Sequence, residues 1–137
     1  MRLSGVKVLL IEDADDIRNA YDFLMRMEGA EVVAVATGRE GLASASRDRF
    51  DVVLSDLGLP DVPGEAVIRQ IRAMASPPPR IVVVTGYGEP HVGRARVAGA
   101  RTVLVKPVEW ADLLAAQAPE PVPAGARLEH AGQPAAA

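Results

Sequence analysis

The sequence predicts a doubly wound α/β sandwich, five βα units folded into a parallel sheet with helices on both sides. Two observations carry this prediction. Short runs of β-branched and aliphatic residues alternate with longer segments of helical spacing, five times in order. The runs are continuously apolar rather than alternating, as strands are when both faces of a sheet are covered. Right-handed crossovers then put helices on both faces, and five strands are too few to close an eight-stranded barrel.

The strands are read at 6–11 (VKVLLI), 31–36 (EVVAVA), 51–55 (DVVLS), 80–85 (RIVVVT) and 101–105 (RTVLV). In the first helix Ile17, Ala20, Tyr21, Leu24 and Met27 recur at three to four residues, Asp15 or Asp16 suits the N-cap, and Gly29 suits the stop. Gly41, Leu42 and Ala45 mark the second helix. Val67, Ile68, Ile71 and Met74 mark the third, which the Pro77-Pro78-Pro79 run ends. Val92, Ala95 and Ala98 mark the fourth, and a fifth begins near Glu109 with Trp110, Leu113 and Leu114. From Ala118 to Ala137, 13 of 20 residues are Ala, Pro or Gly and no apolar period survives. The expected organisation is one domain at 1–117 and a flexible Ala/Pro-rich tail at 118–137. Docking of the tail through Val122 and Leu128 is the alternative.

Composition removes several classes of function. The 137 residues suit one domain, and 49% apolar content excludes wholesale disorder. A net charge of −3 lacks the basic footprint of non-specific nucleic-acid binding. The absence of cysteine excludes disulfides, thiolate zinc sites and thiol nucleophiles, and two histidines cannot make a three-histidine site. No apolar run approaches the roughly 20 residues of a membrane span, and the N-terminal residues show no export pattern. The reading is a cytoplasmic protein with neither membrane nor nucleic acid as partner. Position 91 is His91, so Gly86 and Gly88 do not open a G-x-G-x-x-G loop.

In open α/β sheets the working site lies at the carboxyl ends of the strands. Here those ends carry Glu12-Asp13, Ser55-Asp56, Thr85-Gly86 and Lys106-Pro107. Three converging carboxylates repel one another, and one holds its proton unless a cation neutralises them. A hard divalent ion, Mg²⁺ above all, suits such a set. Lys106 adds a compact positive charge and Thr85 a hydrogen-bond donor, the parts that stabilise a transferring phosphoryl group. A carboxylate oxygen in that cage is a nucleophile that yields an acyl phosphate. The remaining polar residues have plainer readings. Asp61 is a turn residue, with tuning of the site's charge as the alternative, His91 an exposed residue of the fourth helix, His130 a solvated tail residue. Arg94 and Arg96 form a solvated face, and Trp110 packs the start of the last helix.

Four motifs in order, VLLIED at 8–13, VVLSDLGLPDVPG at 52–64, VVVTGYG at 82–88 and GARTVLVKP at 99–107, make the chain resemble the receiver domain of bacterial two-component response regulators over residues 5–117. The resemblance implies a flavodoxin-like (βα)5 sandwich with strand order 2-1-3-4-5. It implies that Asp56 is the phosphoacceptor, Asp13 a direct Mg²⁺ ligand and Glu12 a ligand partly through water, with the backbone carbonyl of Gly58 completing the set. It makes Thr85 the switch hydroxyl and Lys106 the partner of the phosphoryl oxygens, after a Lys106–Pro107 bond that is often cis. Two positions depart from the family. Val103 stands where an aromatic residue is usual, so the coupling of Thr85 to the last helices is in question. Gly58 stands where many members carry a larger residue, and together with Tyr87, which could cover the site, it tunes loss of the phosphoryl group. The opening, the TGYGEP loop and the LVKPVEWADLL ending look like receivers of hybrid histidine kinases.

The implied partners are a histidine kinase or phosphotransfer protein and a downstream protein target, with the chain a monomer or weak dimer. It is expected to catalyse only its own phosphorylation and dephosphorylation. Two other readings compete: a phosphorylation-independent docking receiver, and an Asp-nucleophile phosphatase. The second is disfavoured because Gly58 occupies the place of the required general acid.

Overall fold

A computed structural model describes residues 1–119. The element order is β1(Lys7–Ile11), α1(Asp15–Met27), β2(Glu31–Val35), α2(Gly38–Arg47), β3(Val52–Asp56), α3(Gly64–Met74), β4(Arg80–Thr85), α4(His91–Ala98), β5(Thr102–Val105) and α5(Trp110–Gln117). The five strands form one parallel sheet in the order β2-β1-β3-β4-β5. The doubly wound fold and its strand order are as expected. The tail beyond Pro119, with Val122, Leu128 and His130, lies outside the described residues.

Alternate strand residues feed two cores. Val8, Leu10, Leu54, Val82 and Val84 face the α1/α5 side with Met25, Leu113 and Leu114. Leu9, Ile11, Val53, Ile81 and Val83 face the α2–α4 side with Val67, Ile68 and Ile71. Each fully buried aliphatic side chain contributes on the order of 1.5–3 kcal/mol. Ala118 is buried with the first core, and its carbonyl accepts from the Arg80 guanidinium.

Two glycines set how closely elements approach. A Cβ on Gly64, the first residue of α3, would lie 2.7 Å from the Leu57 backbone. One on Gly41 would lie 2.4 Å from the Ile11 side chain, so α2 sits against β1 only without it. Gly29, at φ +95°, turns the chain out of α1, as its sequence position suggested.

Two expectations for α1 need correction. Its N-cap is Ala14, without a side-chain cap; Asp15 and Asp16 lie inside the first turn. Asp15 there pairs with Arg18 at 2.6 Å and both acids favour the positive end of the helix dipole. The apolar stripe is also narrower than its spacing suggested. Met25 and the half-buried Tyr21 meet the core, while Ile17, Ala20 and Met27 are exposed together with Phe23. A helix on the outside of a sheet buries only the residues directly over it, and the flanks of the stripe stay in solvent.

Candidate functional site

β1, β3 and β5 are parallel, so their carboxyl ends share one edge of the sheet. There the loops after them bring Glu12, Asp13 and Asp56 together, with one carboxylate oxygen from each within 4.8 Å of the others. Lys106 reaches in from the end of β5, and its Nζ donates to Asp56 Oδ2 at 3.0 Å. The Asp56 side chain is 13% exposed and that of Lys106 is 34% exposed. The acceptor is thus sheltered but open to a reactant from solvent. The Lys106–Pro107 bond is cis.

Local hydrogen bonds hold these groups. The Gly58 N–H donates to Asp56 Oδ1 at 3.0 Å, so the two Asp56 oxygens are held from opposite sides. Ser55, buried in β3, donates its hydroxyl to the Asp56 carbonyl at 2.9 Å. The Ala14 N–H donates to Glu12 Oε2 at 3.1 Å. Arg18 Nη1 donates to the Glu12 carbonyl at 2.9 Å while its Nη2 pairs with Asp15, which ties the β1–α1 turn to the helix.

The electrostatics follow from this crowding. Glu12 is 4% exposed. Burial pushes its pKa above the ordinary carboxylate value, the Ala14 N–H pulls it back, and Asp13 and the charge of Asp56 raise it again. Burial opposes the charge on Lys106, but its hydrogen bond to Asp56 and the attraction of Asp56 and Glu12 outweigh it and raise the Lys106 pKa. Three acids therefore face one ammonium. A divalent cation would relieve the excess, and the donor set, carboxylate oxygens in an open half-buried cleft, fits a hard ion.

Thr85 closes β4 at the same edge of the sheet, and Tyr87 follows in the loop. Thr85 is fully buried at the end of β4, and its Oγ1 accepts from the Tyr87 N–H at 3.1 Å. The Tyr87 ring does not cover the site. It is 55% exposed and stacks on His91, with centroids 4.7 Å apart; two adjacent flat rings shed more apolar surface against each other than one does over a cluster of charges. Val103 is buried among the α2–α4 side residues, beside Val83 in the sheet register. Gly58 is exposed, and a Cβ there would meet only Asp56 Oδ1, at 3.8 Å.

Arg18 and Tyr21 were not assigned to this region from sequence, and Asp61 was read as a turn residue that could tune the site's charge. Arg18 was overlooked, although its spacing from Asp15 signals a helical pair. Tyr21 stacks on Trp110 at 6.4 Å between centroids, linking α1 to the start of α5. Asp61 is more than a turn residue: its two oxygens accept from the Gly38 and Arg39 N–H groups, each at 2.9 Å, and hold the β3–α3 loop against the N-terminus of α2. Those bonds hold the Asp61 pKa below its ordinary value.

A parallel sheet of order β2-β1-β3-β4-β5 with an acid cluster and a lysine at its carboxyl edge is the architecture of a receiver domain. The sequence model of the response regulator receiver domain matches residues 8–118, and the chain belongs to that family. Among curated relatives, sensory transduction protein RegX3 of Mycolicibacterium smegmatis is 40% identical over 78 residues, 57% of this chain and 33% of the relative. Transcriptional regulatory protein PrrA of Mycobacterium tuberculosis is 31% identical over 113 residues, 82% of this chain and 48% of the relative. The chain thus spans half or less of these proteins. PrrA is a transcriptional regulatory protein by name, so these relatives lend no support to the expectation that nucleic acid is excluded as a partner.

Solved structures agree on the fold. A CheY-like response regulator receiver domain protein from Methanospirillum hungatei JF-1 superposes with a TM-score of 0.77 at 30% identity, over 82% of this chain and 90% of that one. The receiver domain of sensor histidine kinase PA1611 from Pseudomonas aeruginosa PAO1 gives 0.73 at 30% identity, over 80% and 92%, and it has a magnesium ion coordinated in its active site cleft. Among the described residues, no helix is long and apolar enough to cross a membrane.

Proposed function

We propose that this receiver accepts a phosphoryl group on Asp56 from the phosphohistidine of a histidine kinase or phosphotransfer protein, in the cytoplasm, and signals through a protein partner. The observation that carries the reading is the convergence of Glu12 and Asp13 on an Asp56 whose carboxylate is held by Lys106. One Asp56 oxygen attacks phosphorus, the new P–O bond forms as the P–N bond breaks, and the leaving imidazole takes up a proton. Hydrolysis later returns the carboxylate and inorganic phosphate. Glu12, Asp13, Asp56 and the Gly58 carbonyl are the residues that would hold Mg²⁺, and a bound ion would neutralise phosphoryl oxygens in the transition state. Lys106 shares that task from the other side. The Gly58 N–H keeps Asp56 oriented, and partial burial keeps competing water few.

Phosphorylation replaces the single charge of the Asp56 carboxylate with a phosphoryl group that carries about −1.5 to −2 and lies beside Lys106 and Thr85. The Thr85 hydroxyl, whose oxygen accepts from the Tyr87 N–H, would donate its proton to a phosphoryl oxygen, moving the β4–α4 loop. Because Val103 is small and buried, that loop, carrying Tyr87 and His91, is the part of the β4–α5 surface that would respond first. The protein is then not an enzyme toward other substrates; it catalyses only its own phosphorylation and dephosphorylation.

The test is intact-protein mass after incubation with Mg²⁺ and acetyl phosphate. One added phosphoryl group is expected on the wild type, and none on Asp56→Ala or when the metal is chelated. No addition, together with no binding of beryllofluoride, would instead favour the docking receiver, which Val103 keeps in play.

A further inference from the structure

Two of the three clustered acids, Glu12 and Asp13, stand on the turn between β1 and α1, and one arginine holds that turn. β1 ends at Ile11, and the Glu12 N–H makes one last sheet bond, to the Val35 carbonyl at 3.0 Å. The Glu12 carbonyl accepts from Arg18 Nη1 at 2.9 Å. The Ala14 carbonyl accepts from the Arg18 N–H, also at 2.9 Å. The carbonyls before and after Asp13 are thus bonded to the same residue of α1.

Asp13 is the acid that most needs such a restraint. Glu12 is buried, whereas Asp13 is exposed. Packing therefore does little to aim the Asp13 carboxylate, and its direction is set mainly by its backbone. A peptide unit is planar, so fixing the Glu12 carbonyl fixes the plane that leads into the Asp13 Cα. The next N–H along the chain, that of Ala14, is taken by Glu12 Oε2 at 3.1 Å.

Arg18 is itself held in place. Its side chain is 18% exposed, and its Nη2 pairs with Asp15 Oδ1 at 2.6 Å. Side chains on a helix lean toward its N-terminus, which carries the Arg18 stem back over the turn. A planar guanidinium serves a carbonyl and a carboxylate at once, in fixed directions. An ammonium is a point charge on a flexible stem and does not reproduce that fork.

We propose that Arg18 is a positioning residue of the metal site, fixing the Glu12–Asp13 peptide so that the Asp13 carboxylate stays with those of Glu12 and Asp56. The proposal rests on the reading that this cluster takes a divalent cation. Charge and geometry then predict opposite signs. By charge alone, removing a cation from beside a cation site tightens that site. By geometry, removing a group that orients a ligand loosens it, typically by about 10–100-fold.

The test is a Mg²⁺ titration of the full chain, read from ¹⁵N–¹H spectra at the Asp13 and Gly58 amides, for wild type, Arg18→Met and Arg18→Lys. Arg18→Met keeps an unbranched apolar stem and loses the fork. Its dissociation constant for Mg²⁺ should rise by about 10-fold or more, with amides remote from the turn unmoved in chelator. Phosphorylation of this variant by acetyl phosphate should be slow at low Mg²⁺ and return toward the wild-type rate as Mg²⁺ is raised. Arg18→Lys keeps the charge and should still bind Mg²⁺ more weakly than wild type. An equal or tighter affinity in Arg18→Met would overturn the proposal, and a lowered thermal midpoint beside it would make Arg18 a residue of the fold alone. Wild-type affinity in Arg18→Lys would overturn it too, because charge would then suffice. Should Arg18→Met fail to fold, Arg18→Lys decides by the same criterion. No saturation of the wild type at millimolar Mg²⁺ would overturn the metal reading itself, and this proposal with it.

Discussion

At the carboxyl end of the sheet three acidic side chains converge within 4.8 Å, whereas at the amino end four arginines line one cavity. Both arrangements oppose the helix dipoles, because every helix starts at the first edge and ends at the second. They differ in what the charges are engaged with. At the amino end Arg72 and Arg80 satisfy backbone carbonyls left open by α4 and α5. At the carboxyl end Asp13 and Asp56 cap no helix: the N-caps of α1 and α3 are Ala14 and Pro63, neither with a side-chain cap. The Glu12 carboxylate accepts from the Ala14 N–H. Charge that serves the fold is matched one bond at a time; charge left unmatched, and gathered, is the mark of a site.

The largest expected effect breaks the carboxyl end without touching the fold. Lys106→Ala removes the only described cation in contact with Asp56. Loss of one preorganised donor to the developing charge should slow phosphorylation by acetyl phosphate by about 10²-fold or more. The fold should persist with a lower thermal midpoint, because the variant leaves three converging carboxylates without their ammonium. A rate within a few-fold of wild type, read by intact mass over time, would remove Lys106 from the chemistry.

Asp13→Asn separates the two uses of charge in one measurement. In chelator it relieves repulsion among three carboxylates, so the midpoint should rise by a few degrees. In Mg²⁺ at about 100 times the dissociation constant the wild type should gain about 2.7 kcal/mol, and the variant should lose most of that gain. A variant less stable than wild type in chelator would mean that the acid cluster is a structural feature.

Arg80→Ala tests the opposite end. It leaves the Ala116 and Ala118 carbonyls without their guanidinium, and hydrogen bonds to a charged group are worth roughly 1.5–3 kcal/mol. Urea denaturation should show a loss of about that size, while phosphorylation on Asp56 proceeds at the wild-type rate. A change in that rate would show the two ends to be coupled.

The architecture was legible because both faces of the sheet are covered, which makes every strand a continuous apolar run. Glu12, Asp13, Asp56 and Lys106 were legible for a topological reason: parallel strands put their carboxyl ends together whatever the loops do. What was not legible depends on side-chain direction or on distant partners. Nothing near Asp61 in sequence announces that Gly38 and Arg39, 23 and 22 residues away, offer it two N–H groups. The Thr85 hydroxyl is turned to the Tyr87 N–H, and Tyr87 to His91, by contacts that spacing does not encode. In α1 the three-to-four spacing was real, but it did not reveal that Met25 rather than Met27 lies over the sheet.

The smallest effect concerns Gly58, a position at the acid cluster where the fold leaves room. Gly64 and Gly41 cannot take a Cβ without moving the Leu57 backbone or the Ile11 side chain, so their glycines belong to the packing. At Gly58 a Cβ would meet nothing closer than Asp56 Oδ1 at 3.8 Å. The backbone φ there is not in the left-handed region, so a larger residue brings no strain. Gly58→Asn should therefore leave the midpoint within about 0.5 kcal/mol of wild type, as for surface changes that touch no packed group. It would set an amide beside the phosphoryl group, on the path by which water reaches phosphorus. The lifetime of phosphorylated Asp56, followed by mass after removal of acetyl phosphate, should change by a few-fold. An unchanged lifetime would place the approach of water elsewhere, on the exposed Tyr87 side. A large loss of stability would instead mean that the Gly58 N–H to Asp56 bond needs the freedom of glycine.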